Sequence, residues 1–161
     1  MSRIATIGVY GFDSESFLAA LAAAEIELLL DVRQRRGVRG SEYAWANAGR
    51  LQEALAGAGI AYTHLKELAP TTELREAQYR EDDRRGEGKR SRTELAPEYA
   101  RRYSEEILDP LDLGPIVNWI GASQAALLCV ERDPEACHRS LIAERLRQDW
   151  GFRVLDLRPE S

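Results

Sequence analysis

Sulfur is scarce in this chain, with two cysteines and one methionine, and histidine is nearly as scarce, with two. Two cysteines in 161 residues make no disulfide scaffold, and an intracellular cysteine is more often buried, metal-bound or reactive than bridged. No apolar run approaches the length of a membrane span, and Met1 to Ala5 leads directly into a strand-like segment rather than a signal peptide. The expectation is a cytoplasmic protein with no membrane partner. A basic field is missing too: 22 Lys and Arg stand against 27 Asp and Glu, a net charge of −5, so any nucleic-acid contact has to be local. There is no G-x-x-x-x-G-K-[ST] loop, no G-x-G-x-x-G fingerprint and no G-x-S-x-G elbow, which removes the usual nucleotide and serine-hydrolase signatures. Internal repeats and low-complexity segments are also lacking.

What is present is enough apolar residue, 44%, for one full core, so residues 1–161 read as a single domain. Five strand-like runs, Ile4–Tyr10, Leu28–Val32, Ala61–Leu65, Leu127–Val130 and Val154–Leu157, alternate with helical patterns. Asp13 and Ser14 offer a cap to a helix through Phe17 and Leu21, and Asn47 offers one to a helix through Leu51 and Leu55. Pro97 opens a helix carrying Tyr99, Tyr103, Ile107 and Leu108, and Pro115 to Ile120 reads as another. From Ala69 to Arg92 the pattern breaks into a polar, charged stretch that reads as a long loop, with a helical turn or two around Glu73 to Arg80. The implied fold class is α/β: a mostly parallel five-stranded sheet with helices on both faces, a Rossmann-like three-layer arrangement. In such a sheet the C-terminal strand ends share one edge, where Tyr10, Asp31, Arg33, His64, Glu131 and Cys137 are expected to meet.

The stretch AALLCVERDPEACHRSLIAERLRQDW, Ala125 to Trp150, runs from a buried strand through a turn into a helix whose first turn carries Cys137, His138 and Arg139. Helix dipole and neighbouring cation both favour a thiolate there, so Cys137 is a candidate nucleophile, weighed equally against a small residue packed under the turn. Cys129, inside the apolar run, reads as structural unless it faces the turn, where it and Cys137 form a redox pair. Cys129, Cys137, His138 and His64 are a zinc-compatible set, but seven residues between the cysteines match no compact zinc spacing, and neither metal nor cofactor is expected. Arginine is the louder signal. Arg33, Arg35, Arg36 and Arg39 follow the second strand, Lys89, Arg90 and Arg92 lie on the long loop, and Arg139 opens the last large helix. Such guanidinium forks suit phosphate or carboxylate. Tyr10, Tyr43 and Trp45, near the same edge, either stack on a base or pack in the core.

The segments TIGVYGF, LLLDVRQRRGVRGSEYAWAN, HLKELAP, KRSRTEL and LLCVERDPEACHRSLIAERL resemble, in order and from about Ile4 to Leu157, the bacterial family catalogued as domain of unknown function number 488. Many relatives carry His-Ser after the first TIG, where this chain has Val9-Tyr10. The resemblance implies an α/β domain with Cys-x-Glu and Cys-His-Arg elements, carried here by Cys129, Glu131, Cys137, His138 and Arg139, and it brings no assigned activity. A fainter analogy links the strand-to-helix cysteine to rhodanese-like and low-molecular-weight phosphatase domains. The Cys-x5-Arg loop of those sites is absent, since Glu135 and Ala143 stand six residues after Cys129 and Cys137.

The expectation is a small enzyme acting on an anionic, phosphate-bearing substrate, nucleotide or nucleic acid among the options. Arg33, Arg36, Arg39, Arg92 and Arg139 would bind the anion, Glu131 or Asp31 would be general acid or base, and Cys137 with His138 would supply the nucleophile. The alternatives are a non-catalytic module binding nucleic acid or a phosphorylated ligand, and a thiol redox or metal protein. Oligomeric state is open.

Overall fold

The chain's computed structural model describes residues 2–88 and 92–160. The first strand, β1 (Arg3–Ile7), is apolar and β-branched, and four of its five residues are buried. It exits through Gly8, where an added Cβ would lie 1.9 Å from the Glu131 carbonyl oxygen, so no side chain fits. Asp13 then caps α1 (Ser14–Ala23) in a reciprocal box with Ser16, and Phe17 and Leu21 turn inward. β2 (Leu28–Asp31) is buried along its whole length, as its unbroken apolar run requires. Asn47 precedes α2 (Ala48–Gly57), but its side-chain oxygen accepts from Val38 N at 2.7 Å and leaves the helix end uncapped, so the expected cap is a loop clasp instead. β3 (Ala61–His64) follows.

In the polar stretch after β3, the helical turns expected around Glu73 to Arg80 extend into a full helix where a long loop was expected. Thr71 caps α3 (Thr72–Arg85), a helix of 14 residues closed by Gly86 at φ 71°. Its buried stripe is Leu74, Gln78 and Asp82, one apolar residue and two polar ones at four-residue spacing. Lys89 and Arg90, read as part of the basic loop, lie outside the described residues. Next come α4 (Pro97–Tyr103), which widens into a π turn over Ser104–Leu108, α5 (Gly114–Gly121), β4 (Ala125–Leu128), α6 (Arg139–Trp150) and β5 (Arg153–Leu157).

The strands order as β3-β2-β4-β1-β5, and every neighbouring pair is parallel. With the right-handed crossovers that parallel sheets adopt, this order puts α1 and α2 on one face and α3 to α6 on the other, in keeping with the complete burial of β2 and β4. Each leucine buried there contributes about 1.5–3 kcal/mol. The register sets Ile7, Asp31, His64 and Leu128 level at the C-terminal edge. From β2 the chain leaves toward β3, and from β4 toward β5. The ends of these two neighbours therefore diverge, and a crevice opens between them.

Candidate active site

Cys129 is the first residue past β4, tied to β1 by its N–H on the Ile7 carbonyl, and its thiol lies 3.5 Å from Glu131 Oε2. A short 3-10 turn, Pro134–Ala136, follows, and Cys137 is extended beyond it with its N–H on the Pro134 carbonyl. The helix was expected to start at Cys137. It starts at Arg139, because that backbone bond holds Cys137 in the preceding turn, and its carbonyl accepts from both Ser140 N and Ser140 Oγ. The cysteine thus sits just ahead of the helix.

One imidazole joins the two sulfurs. His138 Nδ1 is 3.5 Å from Cys129 Sγ and 3.8 Å from Cys137 Sγ, and His138 Nε2 is 2.8 Å from the Val32 carbonyl oxygen. A carbonyl only accepts, so Nε2 carries hydrogen and Nδ1 is left facing the thiols as a proton acceptor. The Tyr103 ring packs against the imidazole with centroids 5.4 Å apart, and its hydroxyl donates to the Leu68 carbonyl. Both cysteines, His138 and Glu131 are buried.

The electrostatics separate the two thiols. Burial pushes the Cys137 thiol up, but a hydrogen bond from Cys129 and the positive charges of His138 and Arg139 outweigh it and hold it well below the ordinary range. Burial, then the contact and charge of Cys137, push Cys129 well above that range. For His138, burial favours the neutral ring, but the Cys137 sulfur and the Val32 carbonyl together raise its pKa. The directions oppose each other: the surroundings favour negative charge on Cys137 and positive charge on His138, and disfavour charge on Cys129.

These groups form the floor of a narrow cleft, in which about 40 Å³ is open to the centres of water-sized molecules. Its walls include Arg33, Arg35, Arg75 and Arg92, against one lining carboxylate, Glu131. The expected anion-binding residues separate into two groups. Arg33 holds both Asp31 oxygens through Nε and Nη2 and the Ala46 carbonyl through Nη1. Arg92 holds Asp82, Glu131 Oε1 and the Ala136 carbonyl, so burial, which disfavours its charge, is outweighed and its pKa is raised. Arg139, fully buried, clasps the Glu131 and Arg132 carbonyls, while its Nε has no partner among the described residues. These three position the floor. Arg36 donates to the Tyr62 hydroxyl and, with Arg39 and Asp31, is absent from the cleft wall.

Tyr10, Tyr43 and Trp45 are also elsewhere: Tyr10 packs against Tyr43 and Trp45 against Phe17, each with tilted rings, at centroid distances of 5.2 Å and 4.9 Å. His64 Nε2 meets the Arg33 carbonyl, so the four-ligand zinc set does not assemble. Among the described residues, Cys129, Cys137 and His138 alone form a compact His, Cys or carboxylate group, their donor atoms within 4.8 Å of one another. Of the outer wall, sequence reasoning named Arg35 among the arginines after the second strand but missed Arg75. Arg75 reaches Gln34 and the Tyr79 hydroxyl, and its guanidinium lies over the Tyr79 ring. The four-residue spacing of Arg75 and Tyr79, inside the helical turns expected around Glu73 to Arg80, was the available signal.

The family model described as Domain of unknown function DUF488 matches residues 13–146, so the chain belongs to that family. The matched span holds every residue of the cleft floor. No curated protein and no solved structure matches.

Proposed function

We propose that this member of the DUF488 family is a thiol enzyme in which Cys137 attacks the slender reactive end of a small anionic substrate. The observation that carries the reading is the imidazole whose outer nitrogen is fixed on the Val32 carbonyl while its inner nitrogen faces the sulfurs. Such a ring takes the Cys137 proton and remains beside the thiolate as its counter-charge. The anionic character of the substrate rests on the wall. Arg35 is exposed and Arg75 half-buried, and neither pairs with a carboxylate among the described residues, so both are placed to meet a phosphate or carboxylate at the mouth. Arg33 and Arg92, turned on their own acids, hold the positive wall in place.

Two alkylating probes of nearly equal size test this, iodoacetate and neutral iodoacetamide. The expected result is that Cys137 is captured before Cys129, and that its preference for iodoacetate exceeds that of free cysteine. Raising salt should erode the preference. Arg35→Gln and Arg75→Gln should each reduce it several-fold while leaving iodoacetamide capture unchanged. A preference no greater than that of free cysteine removes the anionic substrate, and capture of Cys137 no faster than Cys129 with either probe removes the nucleophile.

A further inference from the structure

We propose that Cys129 is the resolving thiol of a two-cysteine cycle: Cys137 reduces a hydroperoxide and ends bonded to Cys129. This rests on the reading of Cys137 as nucleophile and adds both a substrate class and a role for the second cysteine.

Three observations carry it. The two sulfurs and the imidazole nitrogen lie within 4.8 Å of one another, so the two thiols are already neighbours and a disulfide asks for a short further approach of the sulfurs. Cys129 faces that turn, with Glu131 Oε2 and His138 Nδ1 each 3.5 Å from its sulfur, so its proton has a nearby acceptor once the imidazole has given up its own. The cleft above them leaves only about 40 Å³ open, which suits a small reacting end such as the O–O group of a hydroperoxide, and His138 stands beside the sulfurs to protonate the leaving oxygen. A cysteine with a purely packing role in an apolar run needs neither the carboxylate nor the imidazole.

The steps balance. Cys137 thiolate attacks the terminal oxygen of the hydroperoxide. The S–O bond forms, the O–O bond breaks, and the departing alkoxide takes the proton of the His138 imidazolium to leave as an alcohol. Cys137 is now a sulfenic acid, oxidised by two electrons, and the hydroperoxide is reduced by two. Cys129 gives its proton to the neutral imidazole and attacks the Cys137 sulfur. The S–S bond forms, the S–OH bond breaks, and the hydroxide takes the proton back to leave as water. An external dithiol, the reductant class the cycle requires, then exchanges with the disulfide and returns both thiols.

Mass spectrometry of the intact chain after treatment with hydrogen peroxide or peracetic acid tests this, beside the iodoacetate assay on the same preparation. The wild type should become lighter by two hydrogens, yield a peptide joining Cys129 to Cys137, and turn over peroxide when a dithiol is supplied. Cys129→Ala and Cys129→Ser should give a Cys137 sulfenic acid that dimedone traps and that proceeds to sulfinic acid on longer exposure, with turnover lost. In Cys137→Ser the remaining thiol should stay reduced.

A wild type that accumulates dimedone-trapped Cys137 without the joined peptide overturns the resolving role. Cys137 that is inert to both peroxides yet quickly captured by iodoacetate overturns the hydroperoxide class and leaves the thiol reading standing. Cys137 inert to peroxide and to iodoacetate ends both. Because the joined peptide is read in the wild type, the outcome does not depend on how any variant folds.

Discussion

At the scale of single residues, the site depends on two imidazole nitrogens with different neighbours. With His138 Nε2 on Val32 and Nδ1 between the sulfurs, removing the ring removes the counter-charge that offsets burial of Cys137. His138→Ala should therefore raise the Cys137 pKa, and in a pH series of iodoacetate capture the inflection should move to higher pH. The sign follows from the depressed value: in the wild type the reactive thiolate persists as pH falls below the ordinary thiol range and is lost only through its lowered pKa. An inflection unmoved by the substitution would mean that Arg139 and the Cys129 hydrogen bond hold the thiolate without the ring. Much of this was legible beforehand, because Cys137, His138 and Arg139 are adjacent in the chain. The role of Cys129 was not. A residue inside an apolar run looks structural, and only the end of β4 one residue earlier turns its sulfur toward the crevice.

At the scale of elements, α3 is where composition misled. A search for apolar residues finds only Leu74 on its buried face, since Gln78 and Asp82 fill the next two turns. Those two replace apolar packing with directed bonds. Gln78 joins Asp82 to the Ala96 N–H, and Asp82 takes Arg92, whose other arm holds Glu131 in the cleft. Removing one member of a buried ion pair leaves the other charge unanswered, at a cost of about 3–5 kcal/mol. Asp82→Ala should lower stability by that order in urea titration and speed amide exchange along α3, while Glu81→Ala, at a partly exposed surface pair, should change it little. Equal effects of the two would mean that α3 is not docked through Asp82. The α6 boundary was displaced by a similarly local cause, the Cys137 N–H held by the Pro134 carbonyl.

At the scale of the whole molecule, the alternation of strand and helix was enough to read a parallel α/β sheet and its shared C-terminal edge. The order of strands was not readable, because β4 lies between β2 and β1, far from both in the chain, and that insertion depends on which faces the intervening helices bury. The insertion matters, since it brings Val32 at the exit of β2 beside His138 at the threshold of α6, 106 residues away. That carbonyl is a built-in spectroscopic reporter. An imidazolium polarises its acceptor more than a neutral ring does, so the carbonyl carbon-13 resonance of Val32 should shift with pH in step with the thiolate of Cys137. It should stay flat in His138→Ala. Carbon-detected NMR on uniformly labelled protein would read the charge state of the cleft from inside the sheet, before any substrate is known.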